Sequence, residues 1–283
     1  IWGASFLSIR IALDEVPVFT SVAHRVGWAA LILWAVVLAR GLPLPRDPRV
    51  WGAFLVMGVL NNILPFSLMA WGQLHIETGL TSIFNATTAV MAVLVAAAVF
   101  PDERLTPNRL LGVCLGFLGV ATAIGLEALA DFDIRSLAQL AILGGALSYA
   151  LAGAWGRAWL KGLKPELAAA GMLTASALVM VPAAWIIDGP IRLDLAPRTV
   201  LAIGYYSVIA TAFAYLLYYR GLAMAGSGNL LLCTLLIAPV AIILGAVVLD
   251  ETLPPRAFVG FAILALGLVL LDGRVLRLRH RPT

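Results

Sequence analysis

With 283 residues, 62% of them hydrophobic and only 12% charged, the chain is too apolar for a water-soluble domain, in which about a quarter of residues carry charge. Its net charge of +4 comes from basic residues in short loops and at the C-terminus. That placement fits a membrane surface and argues against a nucleic-acid partner. Cys114 and Cys233 both lie inside apolar runs and read as small packing residues, not as a disulfide framework.

Ten apolar runs follow one another: 1–13, 18–39, 50–74, 78–100, 107–126, 136–158, 166–187, 198–220, 227–249 and 255–272. Most approach the roughly 20 residues that cross a bilayer core as a helix. They lack the polar alternation of barrel strands. The predicted fold is therefore an all-α membrane protein of ten transmembrane helices. The first run is short and opens Ile1-Trp2 without methionine, so the first helix is expected to be truncated in this chain.

Polar groups inside these runs are the candidate site, because they are expensive in hydrocarbon and turn toward protein or cavity. In span 2, Arg25 lies about eight residues in. Its expected partner is a carboxylate, either on a neighbouring helix or on the substrate. In span 3, Asn61 and Asn62 precede Pro65, which removes a backbone donor and predicts a kink. Asn62, Phe66, Met69 and Gln73 follow helical spacing and form one stripe. Either the amides hold a polar solute while Phe66 and Met69 contact its apolar part, or the asparagines bond a neighbouring helix. Trp71 and His75 end this span, as vestibule or gating residues or as an interface anchor. In span 4, Thr81, Asn85 and Thr88 make a second stripe, of which Asn85 is the candidate. The threonines are expected to bond their own backbone. Glu77 reads as a first-turn acid favoured by the helix dipole.

Span 6 carries Ser148, Tyr149 and Trp155; span 8 carries Tyr205, Tyr206, Tyr215, Tyr218 and Tyr219. Tyr218 and Tyr219, and with them Tyr205 and Tyr206, fit an interfacial belt. Tyr149, Tyr215 and Trp155 lie deeper and suit an aromatic box around a zwitterion. Span 9 holds Asn229, Cys233 and Pro239, the last a candidate hinge. The tail Arg274, Arg277, Arg279, His280 and Arg281 is expected to lie against anionic lipid.

The chain matches itself at a shift of 148 residues. Asp102-Glu103 recurs as Asp250-Glu251, Pro17 as Pro165, Gly41 as Gly189, Gly112 as Gly260 and Gly119 as Gly267. Five spans per copy is an odd number, so the second copy enters the membrane inverted, a common plan for transporters. The predicted organisation is a first repeat at 1–126, a second at 136–272 and a basic cytoplasmic tail at 273–283. With the N-terminus inside, thirteen Lys and Arg fall in inner segments and four in outer ones. Both termini are thus predicted cytoplasmic.

Trp2-Gly3-Ala4-Ser5-Phe6 at the start, Arg25 in span 2, and the paired Asp-Glu loops with Pro107 and Pro255 resemble the EamA-type half of the drug/metabolite transporter superfamily over the whole chain. Within it, the chain looks most like YddG-type bacterial exporters of amino acids, aromatic ones included. The resemblance implies alternating access in the bacterial inner membrane around a cavity lined by spans 1, 3, 4, 6, 8 and 9. It gives Arg25 a structural role, and leaves monomer and homodimer both open. Efflux of a drug or other metabolite is the alternative. No span holds a mid-membrane acid, which counts against cationic drugs. No metal-site or nucleophile pattern is present, so neither enzyme chemistry nor a cofactor is expected.

Overall fold

The computed structural model describes residues 1–103, 105–124, 134–217 and 236–272. Among them every regular element is helical: α1 (Trp2–Ala12), α2 (Val18–Ala39), α3 (Pro48–Gly72), α4 (Thr78–Val99), α5 (Pro107–Ile124), α6 (Ile134–Trp159), α7 (Pro165–Ile187), α8 (Pro197–Leu217), α9 (Ile237–Leu249) and α10 (Pro255–Asp272). Six of these, α2, α3, α4, α6, α7 and α8, are long and apolar enough to cross a membrane, and α5, α9 and α10 are shorter apolar helices. Large side chains face outward on them, with Leu178, Ile186, Leu201 and Val247 between 73% and 81% exposed. Such a coat suits hydrocarbon, not water.

Local chemistry sets the ends. Proline opens α3, α5, α7, α8 and α10, where its missing N–H is no loss and its fixed φ suits the first turn. Asp47 caps α3 by accepting from the Arg49 amide at 2.8 Å. Gly41 and Gly189, partners at the 148-residue shift, follow α2 and α7 with φ of 57° and 94°. A side chain at either would be strained there.

Two helices are wound abnormally. α3 carries a π-helical stretch at Val59–Ile63, and α8 one at Tyr205–Phe213. The shift maps the first onto 207–211, inside the second. π-bulges leave backbone groups out of the regular ladder and cluster at functional sites. Side chains take up these groups: Ser148 donates to Leu60 O at 2.6 Å, Trp2 Nε1 to Ala210 O at 3.0 Å, and Thr211 Oγ1 to Tyr206 O at 2.7 Å. α4 is broken at Ala86–Thr87 into Thr78–Asn85 and Thr88–Val99.

The most extensive packing joins α5 to α10 and α2 to α7. α2 and α7 run antiparallel, tied at one end by Thr20 to Asp188, midway by Trp34 to Thr174 and at the other by Arg40 to Glu166. α5 and α10 also run antiparallel, with Gly112 against Gly267 and Gly119 against Gly260. Other contacts come in pairs. α1 packs on α8 and α9, and α6 on α3 and α4; α2 touches the π-helical part of α8, and α7 touches α3. The hydrophobic interior falls into two main cores, one around α4, α5 and α10 and one around α2 and α7, and Tyr149 borders both.

Candidate functional site

Between the two cores lies a polar and aromatic cluster assembled from both copies. Its framework is α3, where the π-helical stretch brings Asn61 and Asn62 to bear on α7 and α8 together. Asn62, fully buried, donates through Nδ2 to Ser176 Oγ at 2.9 Å. Ser176 donates in turn to the carbonyls of Met172 and Gly58. Asn61 Nδ2 donates to the Tyr215 hydroxyl at 2.9 Å, and Tyr215 donates to Asn62 Oδ1 at 3.3 Å. One turn further along α3, Phe66 meets the Tyr149 ring edge-on with centroids 6.5 Å apart.

Arg25 completes the cluster from α2. Its Cζ lies 3.8 Å from the centroid of the Phe66 ring, and its Nε donates to Thr211 Oγ1 at 2.9 Å. Tyr149, Tyr206 and Tyr215 all lie within electrostatic range of the guanidinium. Cation–π contact and a hydroxyl acceptor are the means by which a charge is kept in an apolar bundle. Tyr206 is fully buried and shares a hydrogen bond with Ser21 Oγ at 3.2 Å, so it is no belt residue. Tyr205, whose hydroxyl reaches Ile1 O at 3.0 Å, stays on the outside. Asn61, Tyr149 and Tyr215 are partly accessible while Asn62, Thr211 and Tyr206 around them are closed.

The α3 stripe does not converge as a unit. Asn62 turns to α7 and Phe66 to α2 and α6. Met69 packs against Gly145 of α6 in the other core, and Gln73 donates to Phe6 O of α1 at 2.9 Å. Thus Asn62, Phe66, Tyr149 and Tyr215 come together, while Met69 and Gln73 lie farther along the helix. Asn85 stands partly accessible at the break in α4. Thr81 bonds its own backbone at Glu77 O. Trp155 donates to Ala53 O at 3.1 Å and stacks on Trp159, centroids 5.2 Å apart. Trp71 and His75 meet edge-on at 4.9 Å at the end of α3. Pro239 sits in the first turn of α9 as described, and Asn229, Cys233, Tyr218, Tyr219 and the basic tail fall outside the described residues.

Sequence reasoning does not single out Ser176 or Thr211. It expects Tyr206 in the interfacial belt and Arg25 to meet a carboxylate, with the resemblance favouring a structural role. The shift by itself does not find them, because it places Asn61 and Asn62 opposite Ile209 and Ala210, and Ser207 and Thr211 opposite Val59 and Ile63. A separate groove of about 550 Å³ between α2 and α7 is lined by Ala23, His24, Trp28, Leu31 and Leu178. Several of these are largely exposed on the outer surface, so the groove is not the place for a polar solute.

The EamA-like transporter family matches this chain twice, over residues 1–125 and 136–271. The chain belongs to the EamA-like transporter family. Among its relatives is a "Probable terminal-alkyne amino-acid exporter" of Streptantibioticus cattleyicolor. It is 25% identical over 100% of this chain and 93% of its own length. A "Probable amino-acid metabolite efflux pump" of Escherichia coli is 22% identical over 95% of this chain and 90% of its own. The "Protein PagO" of Salmonella typhimurium is 23% identical over 77% and 71%. A solved crystal structure superposes with a TM-score of 0.71, at 19% identity, covering 98% of this chain and 94% of that one. It establishes the shared fold. The EamA-like chain is thus a multi-pass membrane transporter.

Proposed function

We propose that this EamA-like protein exports amino acids, aromatic and other neutral or polar ones, across a bacterial inner membrane. It works by alternating access at the cluster between two inverted repeats, 1–126 and 136–272, with both termini cytoplasmic. Two relatives carry amino-acid export in their names. The inverted repeat is supported by the antiparallel course of the equivalent helices α2 and α7, and of α5 and α10, and by π-helical stretches at equivalent positions. Equivalent helices of two parallel copies would instead run the same way.

One observation carries the substrate reading. Asn61, Tyr149 and Tyr215, contributed by both copies, present partly accessible amide and hydroxyl groups in the cluster that holds the Phe66 ring. Zwitterion recognition needs such groups, with rings for the side chain. Rocking of the copies would expose them to each side in turn. Trp71, His75 and Pro239 stand as gating candidates.

Efflux from proteoliposomes preloaded with labelled amino acids, with and without a pH gradient, tests this. Release that unlabelled amino acids compete away is the expected result. Folded protein that moves none of them would end the amino-acid assignment and turn attention to neutral drugs and metabolites.

A further inference from the structure

We propose that Arg25 is the carboxylate receptor of the transport site, with its terminal amino groups gripping the substrate's carboxylate. The inference rests on the amino-acid reading above and names the group that would anchor it.

Arg25 is only 9% exposed. Its Nε is engaged by Thr211, and the charge sits over Phe66. Among the described residues nothing bonds its two Nη atoms. Nor does an acid balance it: each ion pair of the described residues joins groups near helix ends or in loops, and none includes Arg25. Residues 218–235, which continue the chain beyond α8, contain no Asp or Glu. Among the described residues the buried guanidinium thus has four unused N–H donors and no counter-charge, an arrangement that is costly to maintain. Its permanence makes sense when the missing anion is the cargo.

The geometry suits a carboxylate. With Nε tied to Thr211, the Nη1 and Nη2 edge is left, and that edge matches two carboxylate oxygens through parallel hydrogen bonds. Phe66 below and Thr211 beside the group fix its plane. Thr211 is itself fixed, since its hydroxyl donates to the Tyr206 carbonyl within the π-helical stretch. The ammonium of the same substrate has an acceptor in the cluster, because the Asn61 side-chain carbonyl accepts nothing among the described residues. α2 and α8 belong to different copies, so a ligand on Arg25 would report directly on how the copies stand relative to one another.

The test is calorimetric binding to the purified full chain in detergent with three probes: L-phenylalanine, 3-phenylpropanoate, which keeps the carboxylate alone, and 2-phenylethylamine, which keeps the ammonium alone. Wild type should bind the first two, and the amine at least about tenfold more weakly than phenylalanine. Arg25→Gln should weaken both carboxylates about tenfold or more and leave the amine unchanged. Arg25→Lys keeps the charge without the fork and serves if the glutamine variant does not fold; it should fall between. Equal loss for all three probes, or undiminished phenylalanine binding by folded Arg25→Gln, overturns the proposal, and the second outcome leaves the amino-acid reading standing. Arg25-dependent binding of 3-phenylpropanoate without phenylalanine keeps the carboxylate receptor and sinks the amino-acid reading.

Discussion

At the α5–α10 seam, glycines let two backbones touch. Gly112 meets Gly267 and Gly119 meets Gly260, with no side chain between. Around Arg25, long side chains from five helices meet instead, and some of their polar atoms are accessible. The two regions treat the same solvent differently. Lipid offers little hydrophobic drive between helices, so a fixed contact must come from close van der Waals packing, which small residues allow. A binding site needs polar groups held apart and ready. The contrast separates a seam that cannot yield from a cluster whose contacts are few, specific and able to exchange partners.

The largest effect is expected at the seam. A Cβ at Gly260 would sit 2.5 Å from the Gly119 carbonyl oxygen and 2.6 Å from the Ala123 nitrogen. Backbone cannot swing aside as a side chain can, so the helices must part. Gly260→Ala should destabilise by about 1–3 kcal/mol, read as a lower thermal midpoint in detergent. Folded protein should discriminate among substrates as before. A midpoint equal to wild type would mean that the seam is not close-packed.

In the cluster the expected damage is to transport. Tyr149→Ala removes an edge contact with Phe66 and a hydroxyl near Arg25. Proteoliposome flux should fall about five- to tenfold, roughly 1–1.4 kcal/mol, with membrane insertion unchanged. Tyr149→Phe should recover part of it. Asn85→Ala, at the α4 break, should reduce flux as well. Undiminished flux with Tyr149 and Asn85 both replaced would place the site elsewhere.

Those predictions rest on features of unequal legibility. Hydropathy alone outlines the helices, since the ends of α2, α4, α7 and α10 fall within a residue or so of the apolar runs. The reason is physical: a hydrocarbon-facing helix must be apolar on most of its surface, so its limits are written locally. The candidate site is half legible. Asn62, Phe66, Tyr149 and Tyr215 are polar or aromatic at depth, and that suffices to single them out. The π-helical stretches are not legible, because an i→i+5 ladder leaves no mark on hydrophobic periodicity. The stripe of α3 fans out toward α7, α2, α6 and α1 in turn because it spans about three turns of the helix, and each level meets a different neighbour. Arg25 and Thr211 find each other across 186 residues, a pairing that no local pattern contains.

A smaller effect separates the two Asp-Glu loops, which share a motif and not a role. Glu251 accepts from the Thr78 amide at 3.0 Å and the Gly79 amide at 3.4 Å, at the positive end of α4. Glu103 instead meets Arg109 and Arg157 near the surface. Glu251→Gln should lower stability by about 1 kcal/mol, as loss of a helix cap does, and should respond less to salt than a surface ion pair does. Glu103→Gln should cost less and lose its effect in high salt. Equal and equally salt-sensitive losses would show that Glu251 acts as a surface ion, not a cap.

The smallest effect concerns pH. A hydrogen bond from Arg157 holds the Asp102 carboxyl below the usual carboxylate range. A carboxylate depressed in the folded state stabilises it above the unfolded-state value, and that contribution is lost as pH falls through the folded-state value. Wild type and Arg157→Ala should therefore differ most near neutral pH and converge in acid. Because Asp102 is exposed, the increment is small and screened by salt. What survives at low pH is the packing of the Arg157 guanidinium over Phe100, 4.2 Å from the ring centroid. A gap that widened in acid would contradict the sign, and one that stayed constant with pH would mean that Arg157 acts through the ring rather than the acid. The seam offers the control: Gly260→Ala introduces no titrating group, so its deficit should run parallel to wild type across the same pH range.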